Sequence, residues 1–212
     1  MKLEHVTICY NGEPVVRDVD LELNKGEILG VVGESGCGKS TLLNLISGLL
    51  TPEKGSIYMG DQPVGTPNTR IGYMLQKDHL LEWRSIYRNI ILGLEIRHQL
   101  TPAKKELADQ MLATYGLDKF RNARPSQLSG GMRQRAALIR TLLLKPELLL
   151  LDEPFSAMDT YLREGLRLEL SKVLADYDGV SVMVTHDRDE AFQLCKNIML
   201  LDRGHVLIAG ES

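Results

Sequence analysis

Gly33-Glu34-Ser35-Gly36-Cys37-Gly38-Lys39-Ser40 decides how this chain folds. The stretch reads G-x-x-x-x-G-K-S, a spacing suited to cradling phosphate groups. The apolar run Ile28-Leu29-Gly30-Val31-Val32 before it predicts a buried strand, and Ser40-Thr41-Leu42-Leu43-Asn44-Leu45-Ile46 after it predicts the start of a helix. Glycines let successive backbone N–H groups turn toward one anion. The helix start adds free N–H donors and the positive end of a dipole. The candidate phosphate-binding residues are therefore Gly33, Glu34, Ser35, Gly36, Cys37, Gly38, Lys39, Ser40 and Thr41. Lys39 would place a cation on the β- and γ-phosphates of a nucleotide, and the Ser40 hydroxyl would ligate Mg²⁺. Cys37, among those donors and two residues from Lys39, is expected to be a reactive thiol.

The 212 residues suffice for one sizeable core, and a 43% hydrophobic with 25% charged composition is that of an ordinary globular domain. The net charge of −3 argues against a nucleic-acid partner. Cys9, Cys37 and Cys195 have neither paired nor metal-type spacing, which predicts a reducing, cytoplasmic compartment. The start Met1-Lys2-Leu3-Glu4-His5 carries no apolar signal region, and no apolar run reaches the roughly 18 residues a membrane span needs.

Outward from the loop, Leu3 to Tyr10 and Val19 to Leu23 predict two β segments around the turn Asn11-Gly12-Glu13-Pro14. Ser56 to Met59 and Ile71 to Leu75 predict short strands that make the amino-terminal part β-rich. From about Gln76 to Leu144 helix signals dominate. Thr101-Pro102 predicts an N-cap with proline in the first helical position, and Gly116 a stop. Ser129-Gly130-Gly131 opens another helix. Then strands and helices alternate: Glu147–Leu151, Tyr161–Tyr177, Val180–Val184, Asp187–Cys195, Asn197–Leu201 and His205–Ala209. Continuous apolar strands alternating with helices predict a parallel sheet covered on both faces.

The run Leu148-Leu149-Leu150-Leu151-Asp152-Glu153 is an apolar strand ending in two carboxylates. Asp152 can hold Mg²⁺ opposite Ser40, and Glu153 can polarise a water against the γ-phosphate. Leu128-Ser129-Gly130-Gly131-Met132-Arg133-Gln134-Arg135 is a second glycine-containing helix start, hence a second anion site. With these motifs in this order over its whole length, the chain resembles the nucleotide-binding ATPase subunit of ATP-binding cassette (ABC) transporters.

That resemblance implies an α/β fold: a P-loop NTPase core with an antiparallel β edge subdomain and an inserted helical lobe. The core would be about 1–76 and 143–212, and the lobe about 77–142. It implies further roles residue by residue. Tyr10 would stack on adenine with Val16 beside it. Gln76 would contact nucleotide and Mg²⁺, and His186 would reach the γ-phosphate and act with Glu153 and Lys39 in catalysis. Ser129, Gly130, Gly131 and Met132 would bind nucleotide in trans. Pro154-Phe155-Ser156-Ala157-Met158-Asp159 would cross the dimer interface. Met132 and Met158 depart from the family's usual glutamine and leucine, at positions outside the phosphate chemistry. The resemblance also implies ATP and Mg²⁺ as cofactors and an ATP-dependent head-to-tail homodimer. Separate membrane-spanning permease subunits, a solute-binding protein and a place on the inner face of the cell membrane complete the implied system. Leu80-Leu81-Glu82-Trp83-Arg84-Ser85-Ile86-Tyr87-Arg88-Asn89-Ile90 and Gly93-Leu94-Glu95 resemble importer ATPases for nitrate, sulfonates or taurine. Trp83, a large aromatic in a polar setting, is expected at the permease docking surface. Ser212 follows soon after the last predicted strand, and the chain is expected to carry no regulatory domain. An exporter's free-standing ATPase stays open as an alternative, as does a ribosome-associated cassette. A DNA-repair ATPase stays open too, although such chains carry a long coiled coil between these motifs and no heptad run occurs between Lys39 and Ser129.

Overall fold

The computed structural model describes residues 1–156 and 160–211. The chain opens on a two-residue hairpin. Asn11 and Gly12 both take positive φ, 54° and 82°, the backbone that a tight hairpin between twisted strands requires. β1 (Lys2–Tyr10) and β2 (Glu13–Glu22) flank it in antiparallel register. β2 begins six residues before the predicted Val19, because Pro14 pairs with Cys9 as part of the strand. β2 is an edge strand, where a missing N–H is tolerated. β4 (Lys54–Met59) and β5 (Gln62–Pro63) complete a four-stranded antiparallel sheet in the order β2-β1-β4-β5, once β3 (Ile28–Val32) has left for a second sheet.

That second sheet joins β3 to β6 (Ile71–Met74), β7 (Leu148–Asp152), β8 (Val180–Thr185), β9 (Asn197–Asp202) and β10 (His205–Glu211), in the order β10-β9-β3-β8-β7-β6. All pairs are parallel except the outermost, β9 with β10. The predicted strand at Ile71 therefore belongs to the parallel sheet, not to the amino-terminal β region. Its partner β7 lies some 75 residues away in sequence, so no local pattern reveals the pairing.

The helices are α1 (Lys39–Ile46), α2 (Ile86–Ile90), α3 (Leu92–Ile96), α4 (Pro102–Thr114), α5 (Gly130–Leu142), α6 (Thr160–Ala175) and α7 (Arg188–Leu194). Their ends follow the predicted chemistry. The Thr101 side chain accepts from Lys104 N ahead of Pro102, and Ser129 accepts from Met132 N at the start of α5. Gly116, at φ 66°, follows α4.

Side-chain alternation along the parallel strands divides the interior in two. Leu149 and Leu151 of β7 and Met183 of β8 face one cluster, with Ile86, Ile90, Leu94, Leu112 and Leu138 from the helices. Leu148 and Leu150 of β7 and Val182 and Val184 of β8 face the other, with Leu3, Val6 and Val16 of the antiparallel sheet and Leu42 and Leu45 of α1. Residues 86–142 are thus packed onto one face of the sheet. The carboxyl ends of β3, β8, β7 and β6 meet at a single edge, the position where open α/β sheets hold ligands.

Candidate active site

After β3, the loop 33–38 turns into α1. Gly36 and Gly38 adopt φ 82° and 109°, a region costly to residues with side chains. At Gly38 a Cβ would also lie 2.5 Å from the Val15 carbonyl oxygen, and at Gly33 one would lie 2.2 Å from the Leu201 carbonyl oxygen. The loop is therefore squeezed between β2 and β9. A second clamp escaped the sequence reading. The Arg203-Gly204 turn joins β9 to β10, and Gly204 N donates to Cys37 O at 2.9 Å while Gly204 O accepts from Arg17 N at 2.8 Å. The dipeptide signals a turn but not the partner it touches.

Lys39 begins α1 yet is only 6% exposed. Its ammonium donates to the carbonyls of Gly33 and Glu34, both at 2.8 Å, and so sits in the centre of the loop. Two carbonyls hold it at the point toward which the loop's curvature converges. The Cys37 side chain is buried and packs in the second core, its sulfur close beneath Gly33. This corrects the expectation of a reactive thiol, because accessibility is as necessary as a lowered pKa.

The Ser40 hydroxyl stands beside the Asp152 carboxylate at the end of β7. Burial pushes the Asp152 carboxyl above the ordinary carboxylate range, and the Glu153 charge adds to this; the Ser40 hydroxyl and the Lys39 charge act in the opposite direction. Among the described residues, Asp152 Oδ1 is buried without a hydrogen-bond partner. A carboxylate oxygen left so beside a serine hydroxyl fits a hard, oxygen-preferring cation such as Mg²⁺.

Glu153 stands at φ 47°, with its N–H donating to Val184 O of β8 at 2.9 Å. Its carboxylate meets two neighbours: Gln76 Nε2 donates to Oε2 at 3.0 Å, and His186 Nδ1 lies 3.3 Å from Oε1. Gln76 follows β6 and His186 follows β8, so residues from three strand ends converge on one carboxylate. The Gln76 amide is thus engaged by Glu153, beside the Ser40–Asp152 pair. Gln134 of α5 is a further residue that the sequence reading left unassigned. Its amide donates to the Glu153 carbonyl at 2.9 Å and to Ser156 Oγ at 3.2 Å.

Tyr10, at the end of β1, is 46% exposed. Val16 is fully buried in the second core beneath Gly38, so it supports the loop from below and offers no surface beside Tyr10. Ser129, Gly130, Gly131 and Met132 form the start of α5, Ser129 exposed and Gly131 buried. Among the described residues, their hydrogen bonds stay within α5 and its flanks and do not reach the loop 33–40. Pro154 and Phe155 are buried and Ser156 is exposed, whereas Ala157, Met158 and Asp159 lie outside the described residues.

The family model described as ABC transporter matches residues 16–156. The chain belongs to the ABC transporter family. The ABC transporter ATP-binding protein YtlC of Bacillus subtilis is 42% identical over 94% of this chain and 78% of its own length. The nitrate import ATP-binding protein NrtD of Synechococcus elongatus is 39% identical over 92% of this chain and 72% of its own. The taurine import ATP-binding protein TauB of Yersinia pestis is 40% identical, over 92% and 76%. Among solved structures, the dimeric post-hydrolysis state of the ATP-binding cassette MJ0796, bound to ADP and Pi, matches with a TM-score of 0.88. It is 29% identical and covers 99% of this chain and 97% of that chain. The ABC chain described here is accordingly an ATP-binding, ATP-hydrolysing cassette. Among its described residues, no helix is long and apolar enough to cross a membrane.

Proposed function

We propose that this cassette powers a membrane importer of a small anionic or zwitterionic solute of the nitrate, sulfonate or taurine kind. The observation that carries the catalytic part is the convergence of Ser40, Asp152, Glu153, Gln76 and His186 at one sheet edge, next to Lys39. In this reading the loop from Gly33 to Thr41 holds the phosphates, Lys39 exchanging its two carbonyl contacts for phosphate oxygens. Ser40 and Asp152, with Gln76, would hold Mg²⁺, which supplies charge neutralisation on the phosphates. Glu153 accepts the proton of the attacking water, and His186 orients that carboxylate and faces the γ-phosphate. Tyr10 offers its exposed ring to adenine. The start of α5, Ser129 to Met132, closes over a nucleotide on a second copy, consistent with its separation from the loop of its own chain and with the dimeric MJ0796 relative.

The importer reading rests on the names of the nitrate and taurine import relatives. Permease subunits would be separate chains, with a solute-binding protein in the same system, and the cassette would sit on the inner face of the membrane. Residues 77–142 form the helical lobe against a core of 1–76 and 143–212. Trp83 is 72% exposed, which excludes a buried role and supports a docking one. It lines a cleft of about 540 Å³ with Arg84, Arg88 and Arg124. Co-purification of the tagged cassette from solubilised membranes tests the reading. A permease that accompanies it, and ATP hydrolysis stimulated by nitrate or taurine in proteoliposomes, are the expected results. Co-purification with ribosomes or DNA in place of membrane proteins would overturn it.

A further inference from the structure

His186 is a curious residue to entrust with an oriented contact. Its side chain is 61% exposed and its contact with Glu153 is a single one at 3.3 Å. An exposed imidazole held so lightly takes its direction from the backbone that carries it. That backbone is pinned from both sides by one hydroxyl. Thr185 Oγ1 accepts from Asp187 N at 3.0 Å and donates to Glu190 Oε2 at 2.7 Å. His186 is the residue bracketed between them.

Glu190 is 4% exposed. Its other oxygen, Oε1, lies 3.8 Å from Arg163 Nη1 of α6, and the same guanidinium nitrogen lies 3.5 Å from Asp187 Oδ2. Asp187 Oδ1 in turn accepts from Asp189 N and Glu190 N at 2.9 and 3.3 Å. The turn 185–187 is therefore locked to α6 through Arg163 and to α7 through Glu190. A buried carboxylate is costly unless paired and hydrogen-bonded. This one gives Oε2 to Thr185, in the turn that carries His186, and Oε1 to Arg163 of α6.

We infer that Glu190 is a positioning residue for His186, fixing the Thr185–Asp187 turn so that the imidazole faces Glu153. The inference rests on the proposed roles of His186 and Glu153. It adds a residue that touches neither nucleotide nor water and acts through the Thr185 hydroxyl. Misplacement of a catalytic group by about 1 Å can cost on the order of 100-fold in rate, so a lost hydroxyl anchor has room to register in turnover without altering substrate affinity.

The experiment is a mutant cycle on the full chain, reading kcat and KM for Mg-ATP. Glu190→Ala is expected to lower kcat by about 10-fold or more with KM within about two-fold. Glu190→Gln, which keeps an acceptor oxygen for Thr185, should recover turnover to within about three-fold of the parent. In a His186→Ala background, Glu190→Ala should add less than about two-fold, since the group it positions is gone. Multiplicative losses in that double variant would overturn the inference, as would a Glu190→Ala variant of normal kcat. If Glu190→Ala fails to fold, Thr185→Val replaces it in the cycle, removing the hydroxyl while keeping the packing of β8, and the same outcomes apply. Normal turnover in His186→Ala alone would remove the role of His186 itself, and the inference with it; an impaired His186→Ala with multiplicative losses in the double variant removes only the inference.

Discussion

Replacing Glu153 by glutamine separates binding from chemistry. The carboxylate faces an amide donor, Gln76 Nε2, on one oxygen and the His186 imidazole on the other. A glutamine side chain can keep its Oε1 toward Gln76 and turn its NH₂ toward His186 Nδ1, so the site retains its shape and both contacts. The positive φ of residue 153 is shared by parent and variant, and the backbone bonds to Val184 O and from Gln134 persist. Lys39, Ser40 and Asp152 are untouched. What is lost is a base, and removal of a general base costs about 10²- to 10⁴-fold in rate, or roughly 3–5 kcal/mol of transition-state stabilisation. ATP then remains on the closed form as an unconsumed ligand, and mass action holds a pair of chains together. Phosphate release should fall by at least about 100-fold, while light scattering after size exclusion with Mg-ATP shows a stable dimer. Hydrolysis at the parental rate would remove Glu153 from the base role. A variant that binds ATP yet stays monomeric would refute a shared site for this chain in isolation.

Lys39→Ala should abolish hydrolysis and weaken binding of a fluorescent ATP analogue, because the loop loses its central cation; unchanged turnover would sink the loop assignment. Gly38→Ala must place a Cβ 2.5 Å from the Val15 carbonyl at φ 109°. Strain on the order of 1–3 kcal/mol should appear as a lowered melting temperature and a raised KM, and a parental melting curve would contradict the clamp. Trp83→Ala should leave folding and basal hydrolysis intact and uncouple transport in proteoliposomes, given a side chain that is mostly in solvent; loss of folding would contradict that placement. Thiol reagents should modify Cys37 slowly in the folded protein, with Cys9 reacting first, as peptide mass mapping over time can show; Cys9 is the less buried of the two.

Much of this was legible because the informative signals are local. The spacing of Gly33, Gly38 and Lys39, the carboxylates after a four-leucine strand, and the caps at Thr101 and Ser129 each specify backbone geometry within a few residues. What was not legible has a different cause. Val16 sits in a strand whose alternation is broken by register shifts between β1 and β2, so which face it occupies could not be counted off. Cys37 turns inward because Leu201 and Gly204 close over the loop from more than 160 residues away. Gln134 and Gly204 each make two long-range hydrogen bonds, and Glu190 binds Thr185 from a helix start; bonds so few leave no periodicity behind.

The amide of Gln134 has a mechanical implication. It lies on α5, the helix whose first turn is proposed to grip the nucleotide of a second copy, and it holds the backbone of Glu153 in its own chain. In a head-to-tail pair, one rigid rod would touch both reaction centres, its tip in one and its flank in the other. The two centres would then not fire as independent motors. A shift of α5 on arrival of one ATP would be felt at the other carboxylate, and thermodynamic reciprocity would demand the reverse influence in equal measure. Such a machine would show a Hill coefficient different from one, and shortening the Gln134 side chain would bring it back toward unity.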